Sequence, residues 1–305
     1  MADLIYTTKS HPLPPPLTPT PSTLPSIPAL ALGTWGSPPS SVAQAVCHAL
    51  RLGYRHIDTA AAYANEAAVG EGIRLSGVPR EDIWVTTKLD NAWHARADEA
   101  LAASLERLGT GWVDLWLMHW PCAVDPEDKG RVLERWTVED TWREMGRVAR
   151  ERGGVRYVGV SNFGVGGLRG LVEGGEMKPV VNQVELHPGN PSPKLVAYCK
   201  AEGIHVSGYS PLGSTESPLK GNETIRAVAE AHGKTPAQVL LMWGLQKGWS
   251  VLPKSVTPER IEENFDLDGW ELTEAEMASI DAIPERFKVC GDSWLPVKVF
   301  FGDGN

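Results

Sequence analysis

Four residues of the 305-residue chain are of types that together can move a proton: Asp58, Tyr63, Lys88 and His119. A phenol ionises near pH ~10 and is a poor acid or base at neutral pH unless its anion is stabilised. Lys88 would provide the cation, Asp58 would keep that ammonium charged and oriented, and His119 could donate a hydrogen bond to a substrate oxygen and fix its angle. A carbonyl held this way is ready for reduction. The remaining residues offer no competing engine. The eight histidines contain no His-x-x-x-His pair and there is no Gly-x-Ser-x-Gly elbow, so neither a metal cluster nor a protein nucleophile is expected. The electrons must come from a cofactor.

Alone, an Asp followed five residues later by a Tyr reads as a helix cap and a packing residue. What joins the four is the pattern of elements around them. From residue 30 onward short apolar runs alternate with segments of helical period. The runs are 30–35, 56–60, 83–89, 113–119, 155–162, 180–186, 205–211 and 250–255. Strands alternating with helices imply a parallel sheet, and eight of them suit a closed (β/α)8 barrel, an α/β fold whose functional groups gather at the C-terminal ends of the strands. Those ends are Trp35, Asp58, Lys88, His119, Ser161 with Asn162, Gln183 with Glu185, Ser210, and Lys254 with Ser255. A barrel brings them to one mouth.

Late in the chain helices are expected over 223–232, 236–247 and 274–283, the second capped by Thr235 and the third by Thr273. Residues 285–305 read as an irregular tail carrying Trp294, Phe300 and Phe301. Gly164, Gly166, Gly167 and Gly170, with Glu185 about twenty residues on, imitate a dinucleotide fingerprint, but the spacing is wrong and a tight turn is the expected role. The chain is expected to divide into a Pro-rich segment, 1–28, and one barrel unit, 29–305. Eight of the 24 prolines fall between Pro12 and Pro28, a density that admits either a flexible arm or a strap anchored through Leu13, Leu17, Leu24 and Ile27.

With 42% apolar and 22% charged residues the composition is that of a folded protein, and a net charge of −9 without a basic block argues against nucleic acid as a partner. No run approaches the ~20 apolar residues of a membrane span. The four scattered cysteines fit free thiols, and a cytoplasmic monomer or weak dimer acting on small molecules is the expectation.

The motifs resemble those of the aldo-keto reductases. The likeness is carried by Ile57-Asp58-Thr59-Ala60 with Tyr63-x-Asn65-Glu66, by the segment from Val113 through His119-Trp120-Pro121, and by the segment from Val251 through Lys254-Ser255 to Asn264. Shorter matches are Gly159-Val160-Ser161-Asn162-Phe163, Asn182-Gln183 through Pro188, and Gly208-Tyr209-Ser210-Pro211-Leu212-Gly213. The resemblance spans roughly Leu30 to the end. It implies an NADPH-dependent enzyme that binds cofactor first, with Tyr63 as general acid. Tyr209 would stack on the nicotinamide and Ser161, Asn162 and Gln183 would hold its carboxamide. Ser210, Leu212 and Ser214 would hold the pyrophosphate, and Lys254, Ser255 and Arg260 the 2′-phosphate. Thr34, Trp35, Glu263 and Asn264 complete the implied cofactor set. An Arg fork beside a Lys charge also suits a dianionic phosphate on physical grounds.

By the same likeness Trp35, Trp120 and Trp294 are substrate-pocket residues. The family usually carries an aromatic residue where Asp90 stands, so Asp90 is either a polar wall or a cap on the loop that follows, and the segment from Pro121 to Trp136 is short. The implied substrates are small aldehydes, ketoses or their polyols. The alternative is a non-catalytic NADP(H)-binding regulatory protein on the same barrel, against which the complete set of four residues speaks.

Overall fold

Turn formers punctuate the apolar runs at strand length, and the runs fold accordingly. The computed structural model describes residues 5–175 and 177–300, so Phe301 and the first four residues lie outside the described residues. Ten strands form among the described residues: β1 (Ser10–His11), β2 (Ile27–Pro28), β3 (Leu32–Gly33), β4 (His56–Asp58), β5 (Trp84–Leu89), β6 (Val113–Met118), β7 (Val155–Ser161), β8 (Val181–Glu185), β9 (His205–Tyr209) and β10 (Ser250–Leu252). The helices are α1 (Pro39–Leu52), α2 (Glu66–Ser76), α3 (Ala97–Leu108), α4 (Val138–Arg152), α5 (Val165–Glu173), α6 (Pro193–Glu202), α7 (Glu223–His232), α8 (Pro236–Gln246), α9 (Pro258–Phe265) and α10 (Glu274–Asp281).

Strands β3 to β10 pair in parallel in chain order. The parallel bridges Leu30↔Val251 and Gly33↔Lys254 join the first to the last and close the (β/α)8 barrel. The ladders are shorter than the apolar runs because the backbone leaves the extended region once pairing ends: Asn162 has φ 65° and Ser210 φ 49°. The polar residues at the ends of the runs therefore sit on the last strand residue or the first of the loop. Thr235 and Thr273 cap α8 and α10 as expected, each reciprocated by the residue three positions on.

Period-two alternation sorts every strand into an inward and an outward set. Val85, Trp116, Met118, Val158, Val160, Val184 and Val206 face outward in the large core shared with the helices. Trp84, Leu115, Leu117, Tyr157 and Val181 fill the barrel with Ile27. Higher on the same inward faces the residues become polar: Asp58, Lys88, Ser161, Gln183 and Tyr209.

The glycine-rich stretch corrects one expectation. It is not a tight turn: Gly164 is extended, with φ −83° and ψ 175°, and caps α5, while Gly166, Gly167 and Gly170 lie inside that helix. Leu168 and Leu171 are buried in the core, and this apolar face outweighs the poor helix propensity of three glycines.

The proline-rich segment crosses the N-terminal end of the barrel. β1 pairs antiparallel with β2, the Leu17 amide donates to the Arg156 carbonyl at 2.9 Å and the Thr23 amide to the Glu81 carbonyl at 2.8 Å. Leu13 and Leu24 pack on the interior cluster. Beneath the segment lie His56 and His205, facing His11 of its first strand. The rings of His11 and His205 stack at 4.6 Å, and His56 bonds to the Pro28 carbonyl and the Thr86 hydroxyl at 3.2 and 3.0 Å.

Burial pushes the His56 pKa down to about 4, against ~6.5 in the unfolded chain. The unfolded state thus binds more protons between these values, so this stability is present above pH ~6.5 and is lost as the pH falls toward 4. At pH 5 the shortfall of ~1.5 units costs about 2 kcal/mol. In urea unfolding at pH 7.5 and pH 5, His56→Gln should lose about 2 kcal/mol less than the parent between the two conditions. Equal losses would remove His56 from this role.

Candidate active site

The interior layer at the C-terminal end of the barrel converges on one ammonium. Asp58 ends β4 and Lys88 is the penultimate residue of β5, and both side chains point inward. The buried Lys88 Nζ donates to Asp58 Oδ1 at 2.6 Å, to the Thr59 carbonyl at 2.8 Å and toward the Tyr63 hydroxyl at 3.4 Å. Tyr63 arrives on a single 3-10 turn, Ala61–Tyr63, ended by Ala64 at φ 55°. Asn65 pins that turn by donating to the Thr34 and Ser37 carbonyls at 2.9 and 3.1 Å. His119 follows β6 and presents its ring edge-on to Tyr63 with centroids 5.7 Å apart. Three strand ends and one 3-10 turn thus deliver all four groups to one spot.

The electrostatics assign protonation states. Burial, then the Asp58 charge, raise the Tyr63 pKa well above 10, so the phenol holds its proton. The Lys88 ammonium lies closer to the Asp58 carboxylate, at 2.6 Å, than to the Tyr63 hydroxyl, at 3.4 Å. Burial lowers the Lys88 pKa against the opposing pull of Asp58. Burial, then the Lys88 charge, hold His119 well below 6.5, which leaves a neutral imidazole able to donate one hydrogen bond.

A second set adjoins the first. Ser161 Oγ donates to the Gln183 carbonyl at 2.8 Å, and Asn162 Nδ2 donates to the His119 carbonyl and Ser161 Oγ at 3.0 and 3.1 Å. The Tyr209 hydroxyl donates to Asn162 Oδ1 at 2.8 Å, and Gln183 Nε2 donates to Asp58 Oδ2 at 2.6 Å. Asn162 therefore spends both amide hydrogens inside the protein, and what it and Ser161 offer a ligand is mainly oxygen lone pairs, the complement of a carboxamide NH2. The positive φ of Asn162, Ser210 and Ser214 marks three non-glycine residues held in a costly conformation around this mouth.

Farther out, Lys254 and Arg260 are exposed and neither makes an ion pair among the described residues. Of the nearby acids, Glu262 meets His48 at 3.0 Å and Glu263 accepts from the Thr235 hydroxyl at 2.9 Å, while Glu259, next to Arg260, is exposed. Ser255 and Asn264 are buried, and Leu212 and Ser214 lie on the loop after β9. Thr34 is buried against the Asp58 carbonyl at 3.0 Å, whereas Trp35 is 63% exposed.

Trp120 is buried, and its ring meets that of Trp294 perpendicularly at 5.2 Å. Asp90 accepts from the Ala92 amide at 3.0 Å, which makes it the cap of the following turn. One neighbour had no signal in the sequence: the Cys290 thiol, from the tail, lies near enough to the Tyr209 hydroxyl to influence it electrostatically.

A family model described as "Aldo/keto reductase family" matches residues 29–285. The chain is 41% identical over 295 residues to the glycerol 2-dehydrogenase (NADP(+)) of Saccharomyces cerevisiae, covering 90% of this chain and 94% of the relative. It is 43% identical over 260 residues to aldehyde reductase YPR1 of the same yeast, covering 79% and 83%. Among solved structures, the aldose reductase of Schistosoma japonicum superposes with a TM-score of 0.83 at 37% identity, covering 88% of this chain and 93% of that one. A Bombyx mori aldo-keto reductase in complex with NADP gives 0.80 at 36%, covering 90% and 92%.

Proposed function

The chain belongs to the aldo/keto reductase family, and we propose that it reduces aldehydes or ketones to alcohols with NADPH, reversibly, Tyr63 serving as general acid. The relatives named for NADP use support the cofactor, and so does the match of donor set to ligand at both ends of the mouth. Tyr209, Ser161, Asn162 and Gln183 would hold the nicotinamide end, with Thr34 and Trp35 beside them. Ser210, Leu212 and Ser214 would hold the pyrophosphate, and Lys254, Ser255, Arg260, Glu263 and Asn264 the adenosine 2′-phosphate end. The cofactor, when bound, supplies the electron pair that reduces the carbonyl carbon.

The chain's own residues handle the oxygen. His119, neutral, donates a hydrogen bond to the carbonyl oxygen and sets its direction. Tyr63 passes its proton to that oxygen as negative charge develops there, and the Lys88 ammonium then faces a phenolate. Asp58 keeps Lys88 protonated and aimed, and Gln183 fixes Asp58 from the other side. Solvent returns the proton to Tyr63. In the reverse direction the phenolate takes the proton from an alcohol. Residues 29–305 would act as one unit, and Trp35, Trp120 and Trp294 would line the way in for small aldehydes, ketoses or polyols.

One observation carries the proposal: a single buried ammonium bonded to Asp58 and directed at the Tyr63 hydroxyl. The test is loss of NADPH absorbance with a panel of small and aromatic aldehydes. Turnover is expected; cofactor binding with no turnover on any of them would favour a regulatory binding protein instead. For the cofactor, Arg260→Ala should raise KM for NADPH at least tenfold and KM for NADH less than twofold, since only the former carries the phosphate that a guanidinium fork grips. Equal changes would refute the assignment.

A further inference from the structure

Glu185 ends β8 two residues beyond Gln183 and shares its inward face, yet the proton-transfer set makes no use of it. Its carboxylate is fully buried. Oε1 accepts from the Val289 amide at 2.6 Å and Oε2 from the Cys290 amide at 2.7 Å. His187 Nε2 adds a third contact at 3.0 Å, and Lys288 stands 3.8 Å away. Burial alone would raise the carboxyl pKa, but the His187 contact, Lys288 and the two amides together hold it below the usual carboxylate range. A buried carboxylate that spends both oxygens on the backbone of a segment about a hundred residues distant is an anchor point.

What it anchors is the tail at the mouth. Beyond the two clamped amides the segment closes on itself, Asp292 Oδ2 accepting from the Val299 and Phe300 amides at 2.7 and 2.8 Å. The closed loop packs Leu295 and Val299 against Trp120, and Trp120 lies beside His119 with ring centroids 6.3 Å apart. The wall of the substrate entrance is therefore a loop without regular secondary structure, joined to the barrel just upstream by this carboxylate.

We propose that Glu185 is a positioning residue that sets substrate selectivity by clamping residues 289 and 290, and so the Trp294-bearing wall, onto the barrel mouth. The inference rests on the carbonyl-reductase reading for its kinetic arm only. Small substrates that reach Tyr63 and His119 without touching the wall are served equally with the clamp open; aromatic aldehydes that lie against Trp120 and Trp294 are not.

The experiment compares the parent with Glu185→Gln, which removes the charge and puts an amide NH2 where one acceptor oxygen stood. A second variant, Val289→Pro, removes a donor from the tail side and leaves the barrel residue intact, in case the first does not fold. Hydrogen exchange of tail peptides within 286–300 should quicken at least tenfold in either variant. The ratio of kcat/KM for benzaldehyde to that for glyceraldehyde should fall about tenfold, through KM for the aromatic substrate, with glyceraldehyde kcat held within threefold and NADPH affinity within twofold. Unchanged tail exchange would overturn the clamp, and quickened exchange with an unchanged ratio would overturn its effect on selectivity. A parent that reduces neither aldehyde would sink the functional reading instead, while the exchange data still judged the clamp.

Discussion

Tyr63→Phe should bind NADPH within twofold of the parent, by quenching of tryptophan fluorescence, yet reduce aldehydes about a thousandfold more slowly. The size follows from the role, since a positioned general acid contributes roughly 10²–10⁴ in rate. The phenol is fully protonated in the folded protein because burial and Asp58 both oppose its ionisation, so it enters the reaction with the proton it must give away. Among the described residues its hydroxyl makes only the long 3.4 Å contact with Lys88, and losing it should change urea stability by less than about 1 kcal/mol. A rate within tenfold of the parent would pass the acid's role to another group, His119 being the nearest.

Lys88→Met should be damaging twice over. It leaves Asp58 buried with its ammonium partner gone, and breaking a buried ion pair from one side costs about 3–5 kcal/mol. It also removes the cation that must face the phenolate, so the residual rate should match that of Tyr63→Phe. The two effects separate in the double variant Lys88→Met/Asp58→Asn. Gln183 Nε2 can still donate to the Asn oxygen, no charge is stranded, and most of the lost stability should return while activity does not. If the single and double variants melt alike in urea, the pair is not holding the mouth together.

Asp58, Lys88 and His119 were legible because a barrel puts its chemistry on inward positions at strand ends, and both the period of two and the end of each apolar run are visible in sequence. The same runs overstate the ladders by one to four residues, since the composition continues into the adjoining loop whereas the strand hydrogen bonding stops. The glycines of α5 misled because turn propensity is local, while Leu168 and Leu171 face a core assembled from distant elements. The course of the proline-rich segment was undecidable without the carbonyls of Arg156 and Glu81 that receive its few amides. Least legible were Gln183 on Asp58 and Glu185 on the tail, 125 and 104 residues apart. Each is a long-range polar contact with no periodicity to announce it.

The imidazoles of His11, His56 and His205, packed where the proline-rich segment meets the barrel, sit at the opposite pole from His119, whose ring stays neutral for its own reasons. Mild acid should therefore disable this molecule from its floor rather than at its workplace. Catalytic failure on acidification ought to track the far-ultraviolet signal point for point, and refolding at neutral pH should restore both at once.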